Sequence, residues 1–229
     1  MKILTDIQQN SDEWFDFREG KITGSTIGKL FAKSRKIGEM FDTEKPLLTF
    51  YQKIAERLAI GARDVDDEDS VSAREWGHIH EPEAIAYAAQ ALGIKREEIV
   101  TDFVWQDDNA NFAESPDAYE NVEKPTWAIE AKCLSSARHI MAVATNGWPK
   151  EYLPQVLNYF LVNDDLKIVY FVMYDPRFVD YPKVQLKIFP ISRKDYEYEI
   201  EKLRDIREEA EIQIENIIKN LAKEESSGK

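Results

Sequence analysis

Three side chains near the middle of the chain combine residue types and a spacing that could do chemistry. The sequence SPD ends at Asp117, and after a polar turn the segment 126–133 reads TWAIEAKC, which is typical of a strand. Side chains alternate between the two faces of a strand, so Glu130 and Lys132 should point the same way. If the two segments pair as neighbours, Asp117 lies beside Glu130. Two carboxylates and the main-chain carbonyl of Ala131 would then form an oxygen-rich site suited to Mg²⁺ or Mn²⁺.

A site of this kind contains the parts that cleavage of a phosphodiester requires. A bound metal ion activates water and stabilises charge on the phosphate, and a second ion can stabilise the leaving oxygen. Lys132 would remain charged between the carboxylates or orient the attacking water. The same residues also fit an ordinary salt bridge between Glu130 and Lys132 on an edge strand, and both interpretations stay open on these segments alone.

Residues elsewhere in the chain could complete the site. Glu81 follows the sequence WGHIH at the predicted start of a helix and could join the metal ligands. Gln155 and Tyr159 lie one helical turn apart on one face, where an amide and a phenol can hold a phosphate or the nucleophilic water. Each also has a structural interpretation. Glu81 could be a solvated glutamate at a helix start, and the helix with Gln155 and Tyr159 could simply be core.

The elements that position these residues follow from the spacing of apolar and turn-forming residues. Ser25 could cap a helix with Phe31 facing inward, and Pro46 is predicted to open a second helix that stops at Gly61. The helical stretch that follows should break near Gly77, because Pro82 would interrupt a helix interior. Strands are predicted at 99–105, 111–116, 126–133, 167–174 and 184–190, and helices at 135–145, 151–162 and from Ser192 onward. This order predicts an α/β or α+β fold with a central mixed sheet flanked by helices.

The composition narrows the class of protein. The chain has 229 residues with 30 basic and 43 acidic side chains, a net charge of −13, which argues against passive binding to nucleic acid but does not exclude an enzyme with a local basic channel. No apolar run approaches the length of a membrane span or a signal peptide, so we expect no membrane partner and a cytoplasmic protein. Cys133 is the only cysteine, which excludes an intrachain disulfide and a thiolate cluster.

Six ordered elements over about two thirds of the chain resemble one known family. The family is that of the lambda-type phage recombination exonucleases, the YqaJ-like viral recombinase group within the PD-(D/E)XK nuclease superfamily. The elements are Trp14 with the sequence REGKITGS at 18–25, Trp76-Gly77 followed by Glu81, Ser115-Pro116-Asp117, Glu130-Ala131-Lys132-Cys133, Gln155, and Tyr174-Asp175-Pro176-Arg177. The glutamine-to-tyrosine spacing that ends at Tyr159 is closer to the nuclease domains of bacterial recombination helicase–nucleases.

The resemblance implies roles for individual residues. Asp117, Glu130 and the Ala131 carbonyl would bind metal, with Glu81 contributing, and the cofactor would be Mg²⁺, with Mn²⁺ as a substitute and two ions in the site. Lys132 and Gln155 would handle the water.

The resemblance also implies how this chain would hold DNA. Arg18 and Ser25 would hold the 5′-phosphate of the degraded strand, and Arg35 would contact the duplex end.

The resemblance further implies a fold and an activity. The whole chain, 1–229, would be a single nuclease domain with a restriction-endonuclease-like core at 71–191. A helical N-terminal part at 1–70 would carry the 5′-phosphate pocket, and 192–229 would form a long C-terminal helix. The expected activity is a Mg²⁺-dependent 5′→3′ exonuclease that degrades one strand of double-stranded DNA and leaves 3′ overhangs for recombination in the cytoplasm of a bacterial host.

Assembly and partners are implied in the same way, and other activities stay open. The expected assembly is a homotrimeric ring threaded by duplex DNA, and a single-strand annealing protein is an expected partner. Two alternatives remain at this point: an endonuclease of the same superfamily and a non-catalytic recombination scaffold.

Overall fold

The computed structural model describes residues 31–33, 35, 41–59, 70–101, 105–106, 113–206, 208 and 212. Two compact units share the chain: unit 1 contains 1–94, 131–148 and 171–189, and unit 2 contains 95–130, 149–170 and 190–229. The helices are α1 (Leu48–Leu58), α2 (Ser70–Leu92), α3 (Ser136–Thr145), α4 (Leu153–Val162) and the short α5 (Pro182–Gln185). The strands are β1 (Phe31–Lys33), β2 (Phe41–Pro46), β3 (Ile99–Val100), β4 (Trp105–Gln106), β5 (Ala113–Glu114), β6 (Ala118–Glu120), β7 (Trp127–Lys132), β8 (Ile168–Tyr174) and β9 (Leu186–Ser192). No helix among the described residues is long and apolar enough to cross a membrane.

The largest sheet has five strands in the order β3-β6-β7-β8-β9, and β1-β2 and β4-β5 form separate two-stranded pairs. The strands β3, β6 and β7 pair antiparallel. The connection from β7 to its neighbour β8 contains both α3 and α4, which is the type of crossover that joins parallel strands. The predicted fold class, α/β with a central mixed sheet and flanking helices, is confirmed.

The pairing of β6 with β7 fixes the geometry at the middle of the chain. Ala118 lies opposite Ile129 and Tyr119 opposite Ala128, so one further step along this register places Asp117 opposite Glu130. Pro116 has no N–H to donate, which prevents the hydrogen-bond ladder from extending far beyond this point. The sequence predicted Asp117 at the end of a strand at 111–116 that pairs with 126–133. The structure corrects this: Ala113 and Glu114 pair with β4, and Asp117 directly precedes β6, which lies in the stretch predicted as a turn.

The core of unit 2 includes buried residues of β7 and α4. Helix α4 begins after Tyr152 with a proline in its first turn, where the missing N–H costs no helical hydrogen bond. Five of its ten residues are buried. The buried apolar residues of this unit include Ile99, Ala118, Ala128, Ile129, Val156, Leu157, Phe160, Leu161, Leu166 and Val169.

The core of unit 1 joins α1 to α3. Buried side chains from both helices form one cluster, which includes Tyr51, Ala55, Ile140 and Phe178. Helix α3 ends at Asn146, which adopts a left-handed conformation with φ of 47°. The N–H of Gly147 then bonds to the carbonyl of Ala142 and satisfies one of the last carbonyls of the helix.

Helix α2 corrects one prediction. The expected break near Gly77 is absent, and a single helix of 23 residues runs from Ser70 to Leu92 with Pro82 inside it. A proline removes one helical hydrogen bond, but burial of an apolar helix face can outweigh that loss. This face carries Ala84, Ile85, Ala88 and Ala89, all buried. Gly93, with φ of +72°, ends the helix where the left-handed conformation favours glycine.

Several predicted boundaries were wrong. Phe31, expected to face inward from a helix, lies in β1, which pairs antiparallel with β2. Pro46 ends β2 instead of opening a helix, and α1 ends at Leu58, before Gly61. A few apolar positions do not distinguish a strand that ends at a proline from a helix that begins at one.

The C-terminal boundary also differs from the prediction. Strand β9 continues to Ser192, a 3-10 turn covers Arg193–Tyr196, and residues 197–206 are helical. The expected helix therefore begins about one turn later than predicted. Most of its C-terminal half lies outside the described residues.

Candidate active site

Strand β7 carries the two central residues of the predicted site. Its interior positions 128–131 are all buried, and Glu130 is only 1% exposed. A carboxylate this deeply buried is costly unless it is hydrogen-bonded and its charge is compensated. Lys132 is half-buried at the end of the same strand, two positions further on and hence on the same face.

Helix α4 supplies two hydrogen bonds to Glu130. The Gln155 amide donates to Oε1 at 2.9 Å, and the Tyr159 hydroxyl donates to Oε2 at 2.6 Å. Gln155 Nε2 also lies 2.6 Å from the Tyr159 hydroxyl oxygen, so the two donors support each other. Each oxygen of Glu130 is therefore fixed by one side chain of the same helical turn.

The electrostatics keep Tyr159 a hydrogen-bond donor. Burial raises the pKa of Tyr159 most, and the neighbouring charges of Glu130, Asp117 and Glu114 raise it further. A raised pKa of a phenol favours its neutral form, so the hydroxyl stays protonated and continues to donate to Glu130. The charge of Asp117 is thus one of the causes that raise the pKa of Tyr159 within unit 2.

Sequence analysis missed two residues next to this cluster. The Asn158 amide, between Gln155 and Tyr159 on α4, donates to the carboxylate of Glu114 on β5. Glu114 lies three residues before Asp117 in the chain. A signal was present in the sequence, because positions 155, 158 and 159 share one helix face and all three side chains are polar. The apolar residues between these positions favoured the interpretation of a core helix.

The donor set fits a hard divalent cation. The β6–β7 register, continued by one residue, puts Asp117 opposite Glu130, and the main-chain carbonyl of Ala131 follows Glu130 on β7. Carboxylate and carbonyl oxygens are the ligands that Mg²⁺ and Mn²⁺ prefer. Among the described residues no group of three acidic, histidine or cysteine side chains could hold a metal ion. Asp117, Glu130 and the Ala131 carbonyl would supply oxygen ligands to a metal here, and water would complete its shell.

The roles of the other predicted site residues stay predictions. Glu81 lies on α2 in unit 1 and is half-buried, and its place among the metal ligands stays a prediction. Arg35 is exposed between β1 and β2, and its contact with a duplex end stays a prediction as well. Arg18 and Ser25 lie outside the described residues.

Comparison with known proteins identifies the family. The sequence pattern of the YqaJ-like viral recombinase domain matches residues 13–165, which is more than half of the chain. Two solved structures of an alkaline exonuclease (LHK-Exo) from Laribacter hongkongensis, one in complex with dAMP, are 25% identical to this chain. The match covers 93% of this chain and 99% of that one, with TM-scores of 0.52 and 0.53. A search of curated proteins found no match. This chain belongs to the family of YqaJ-like viral recombinase domains.

Proposed function

We propose that this chain is a Mg²⁺-dependent exonuclease that degrades one strand of double-stranded DNA in the 5′→3′ direction and leaves 3′ overhangs. That the chain is a nuclease follows from its family and from its match, over almost its full length, to an alkaline exonuclease. The metal, the polarity and the product are the proposed part. A homotrimeric ring, an annealing partner and a place in the cytoplasm of a bacterial host belong to the same proposal.

One observation carries the chemistry. The β6–β7 register, continued by one residue, puts Asp117 opposite Glu130, and Lys132 follows two positions later on the strand that carries Glu130. This order supports the PD-(D/E)XK site that we propose. A divalent ion bound there would activate water and stabilise charge on the scissile phosphate.

The residues of the chain have separate tasks in this proposal. Asp117, Glu130 and the Ala131 carbonyl hold the metal. Gln155 and Tyr159 orient the Glu130 carboxylate through neutral hydrogen bonds, and such supporting contacts typically change metal affinity or activity by roughly 10- to 100-fold. Lys132 provides a positive charge next to the phosphate or orients the water.

The experiment uses linear duplex DNA labelled on the 5′ or the 3′ end of one strand. The proposal expects early release of label from the 5′ end, late release from the 3′ end, and no cleavage of closed circular duplex or of any substrate in EDTA. Lys132→Ala should lower the rate by roughly 1,000-fold. Lys124→Ala is the matched control, because Lys124 is 74% exposed and pairs only at the surface with Asp165.

Each outcome tests a different part of the proposed function. Release of the 3′ label first would contradict the polarity, and cleavage of circular duplex would favour an endonuclease. Undiminished cleavage in EDTA would contradict the proposed metal dependence. Faster digestion of 5′-phosphorylated than of 5′-hydroxyl ends, lost in Arg18→Ala, would support the pocket at Arg18 and Ser25.

A further inference from the structure

A second network of buried polar residues lies in unit 1, around Asp175 directly after β8. Asp175 is 0% exposed, and its carboxylate accepts four hydrogen bonds. Arg177 donates three of them: Nε to Oδ1 at 2.8 Å, Nη2 to Oδ2 at 3.0 Å, and the main-chain N–H to Oδ1 at 3.0 Å. The Ser136 hydroxyl donates the fourth, to Oδ2 at 2.6 Å. The guanidinium thus binds both oxygens of the carboxylate, a geometry that lysine cannot reproduce.

The same guanidinium reaches the chain segment that follows Lys132. Arg177 Nη2 lies 3.4 Å from the carbonyl oxygen of Leu134, two residues after Lys132. Ser136, which bonds to Asp175, is the first residue of α3. The exit of β7 is therefore attached to Asp175 and Arg177 at two points within four residues of Lys132.

The other face of the guanidinium contacts helix α2. Arg177 Cζ lies 4.6 Å from the centre of the Trp76 ring, and the Trp76 and His80 rings are 4.1 Å apart. Trp76 Nε1 is buried without a hydrogen-bond partner among the described residues, so ring packing rather than hydrogen bonding fixes this side chain. Trp76 precedes Glu81 by five residues on the same helix.

We propose that Arg177 is a positioning residue, which holds the strand end that carries Lys132 and the helix that carries Glu81 in one arrangement. One side chain contacts Asp175, the β7 exit at Leu134 and the α2 surface at Trp76. The inference rests on the proposed function, which places Lys132 at the scissile phosphate, and on the prediction that Glu81 joins the metal ligands. Its measurable consequence is that loss of the Arg177–Trp76 contact weakens metal binding without unfolding the protein.

The test measures Mn²⁺ binding by calorimetry without DNA, Mg²⁺-dependent cleavage, and thermal unfolding without metal. Trp76→Leu removes the stacked ring and leaves the Asp175–Arg177 pair intact, whereas Trp76→Phe keeps a ring under the guanidinium. Arg177→Lys keeps the charge but loses the fork and the stacking. Ile140→Val, in the core of unit 1 and outside this network, controls for a general loss of stability.

We expect Trp76→Leu and Arg177→Lys to weaken Mn²⁺ binding by roughly 10-fold and to raise the half-saturating Mg²⁺ concentration by a similar factor. Trp76→Phe and Ile140→Val should bind Mn²⁺ like the parent. Mn²⁺ binding by Trp76→Leu equal to that of Ile140→Val would overturn the inference. Should Arg177→Lys fail to fold, the two Trp76 variants decide alone.

Failure of the inference and failure of the proposed function give different results. A parent protein that binds Mn²⁺ and cleaves DNA, with Trp76→Leu unchanged in both, contradicts only the role of Arg177. A parent that neither binds Mn²⁺ nor cleaves DNA contradicts the proposed function itself.

Discussion

Among the described residues, Glu130 and Asp175 are both buried acids, at 1% and 0% exposure, yet their hydrogen-bond donors differ in charge. Glu130 accepts from an amide and a phenol, which orient a carboxylate without cancelling its charge. Asp175 accepts from a guanidinium, which cancels the charge and occupies both oxygens. The first environment suits a carboxylate that binds a cation, and the second suits one that holds the fold together.

The largest effect should follow from removing the charge of Glu130. Glu130→Gln keeps the shape and an acceptor oxygen for α4, so the free energy of unfolding should stay within about 1 kcal/mol of the parent. Cleavage of linear duplex should fall by roughly 1,000-fold or more, because the proposed metal site would lose a carboxylate ligand. Rates on end-labelled duplex at saturating Mg²⁺ check this. A variant that retains substantial turnover would show that Glu130 is structural, as Asp175 is.

The reverse pattern is expected for Asp175→Asn. Loss of this charge leaves the Arg177 guanidinium half-buried without its partner, and breaking such a pair costs about 3 kcal/mol or more. The thermal midpoint should therefore drop clearly, while the folded fraction at low temperature keeps measurable cleavage. Circular dichroism melts and assays at a temperature below the variant's midpoint provide the measurement. An unchanged midpoint together with complete loss of cleavage would place Asp175 in the chemistry instead.

A smaller effect should come from Tyr159→Phe, which removes one of the two donors to Glu130. Activity should fall by roughly 10-fold, because the carboxylate keeps its ligand role but loses one support. Because burial and the nearby carboxylates raise the pKa of Tyr159 above its usual 10.0, the hydroxyl remains a donor as the pH rises toward 10. The ratio of parent to variant rates should hence stay constant from pH 7 to 10. A ratio that collapses within that range would mean that Tyr159 ionises and does not hold Glu130.

The sequence predicted the half of the site that depends on local spacing. Strand alternation put Glu130 and Lys132 on one face, and pairing of neighbouring segments was expected to bring Asp117 beside Glu130. The strand that pairs with β7 is β6, which the sequence had predicted as a turn, whereas Ala113 and Glu114 of the predicted strand 111–116 pair with β4. Most elements of the central sheet and the two helices after β7 were predicted within a few residues. These features follow from apolar periodicity and turn residues, and both patterns depend only on residues that are close together in the sequence.

What the sequence did not predict depends on contacts between distant segments. The role of Gln155 with the water stays a prediction, but the hydrogen bond of its amide to Glu130, 25 positions away, was not predicted. The Asn158–Glu114 bond and the stacking of Arg177 on Trp76 join segments 44 and 101 positions apart. The continuous helix α2 was missed for a similar reason, because the buried face that stabilises it across Pro82 is a property of packing.

Anomalous diffraction from crystals of the protein grown with Mn²⁺ would locate the metal ion itself. We expect an anomalous peak between the carboxylates of Asp117 and Glu130, close to the carbonyl oxygen of Ala131, and no peak at Asp175. The peak should disappear in Glu130→Gln crystals grown under the same conditions. A parent crystal with Mn²⁺ bound elsewhere and none between Asp117 and Glu130 would contradict the assignment of this site.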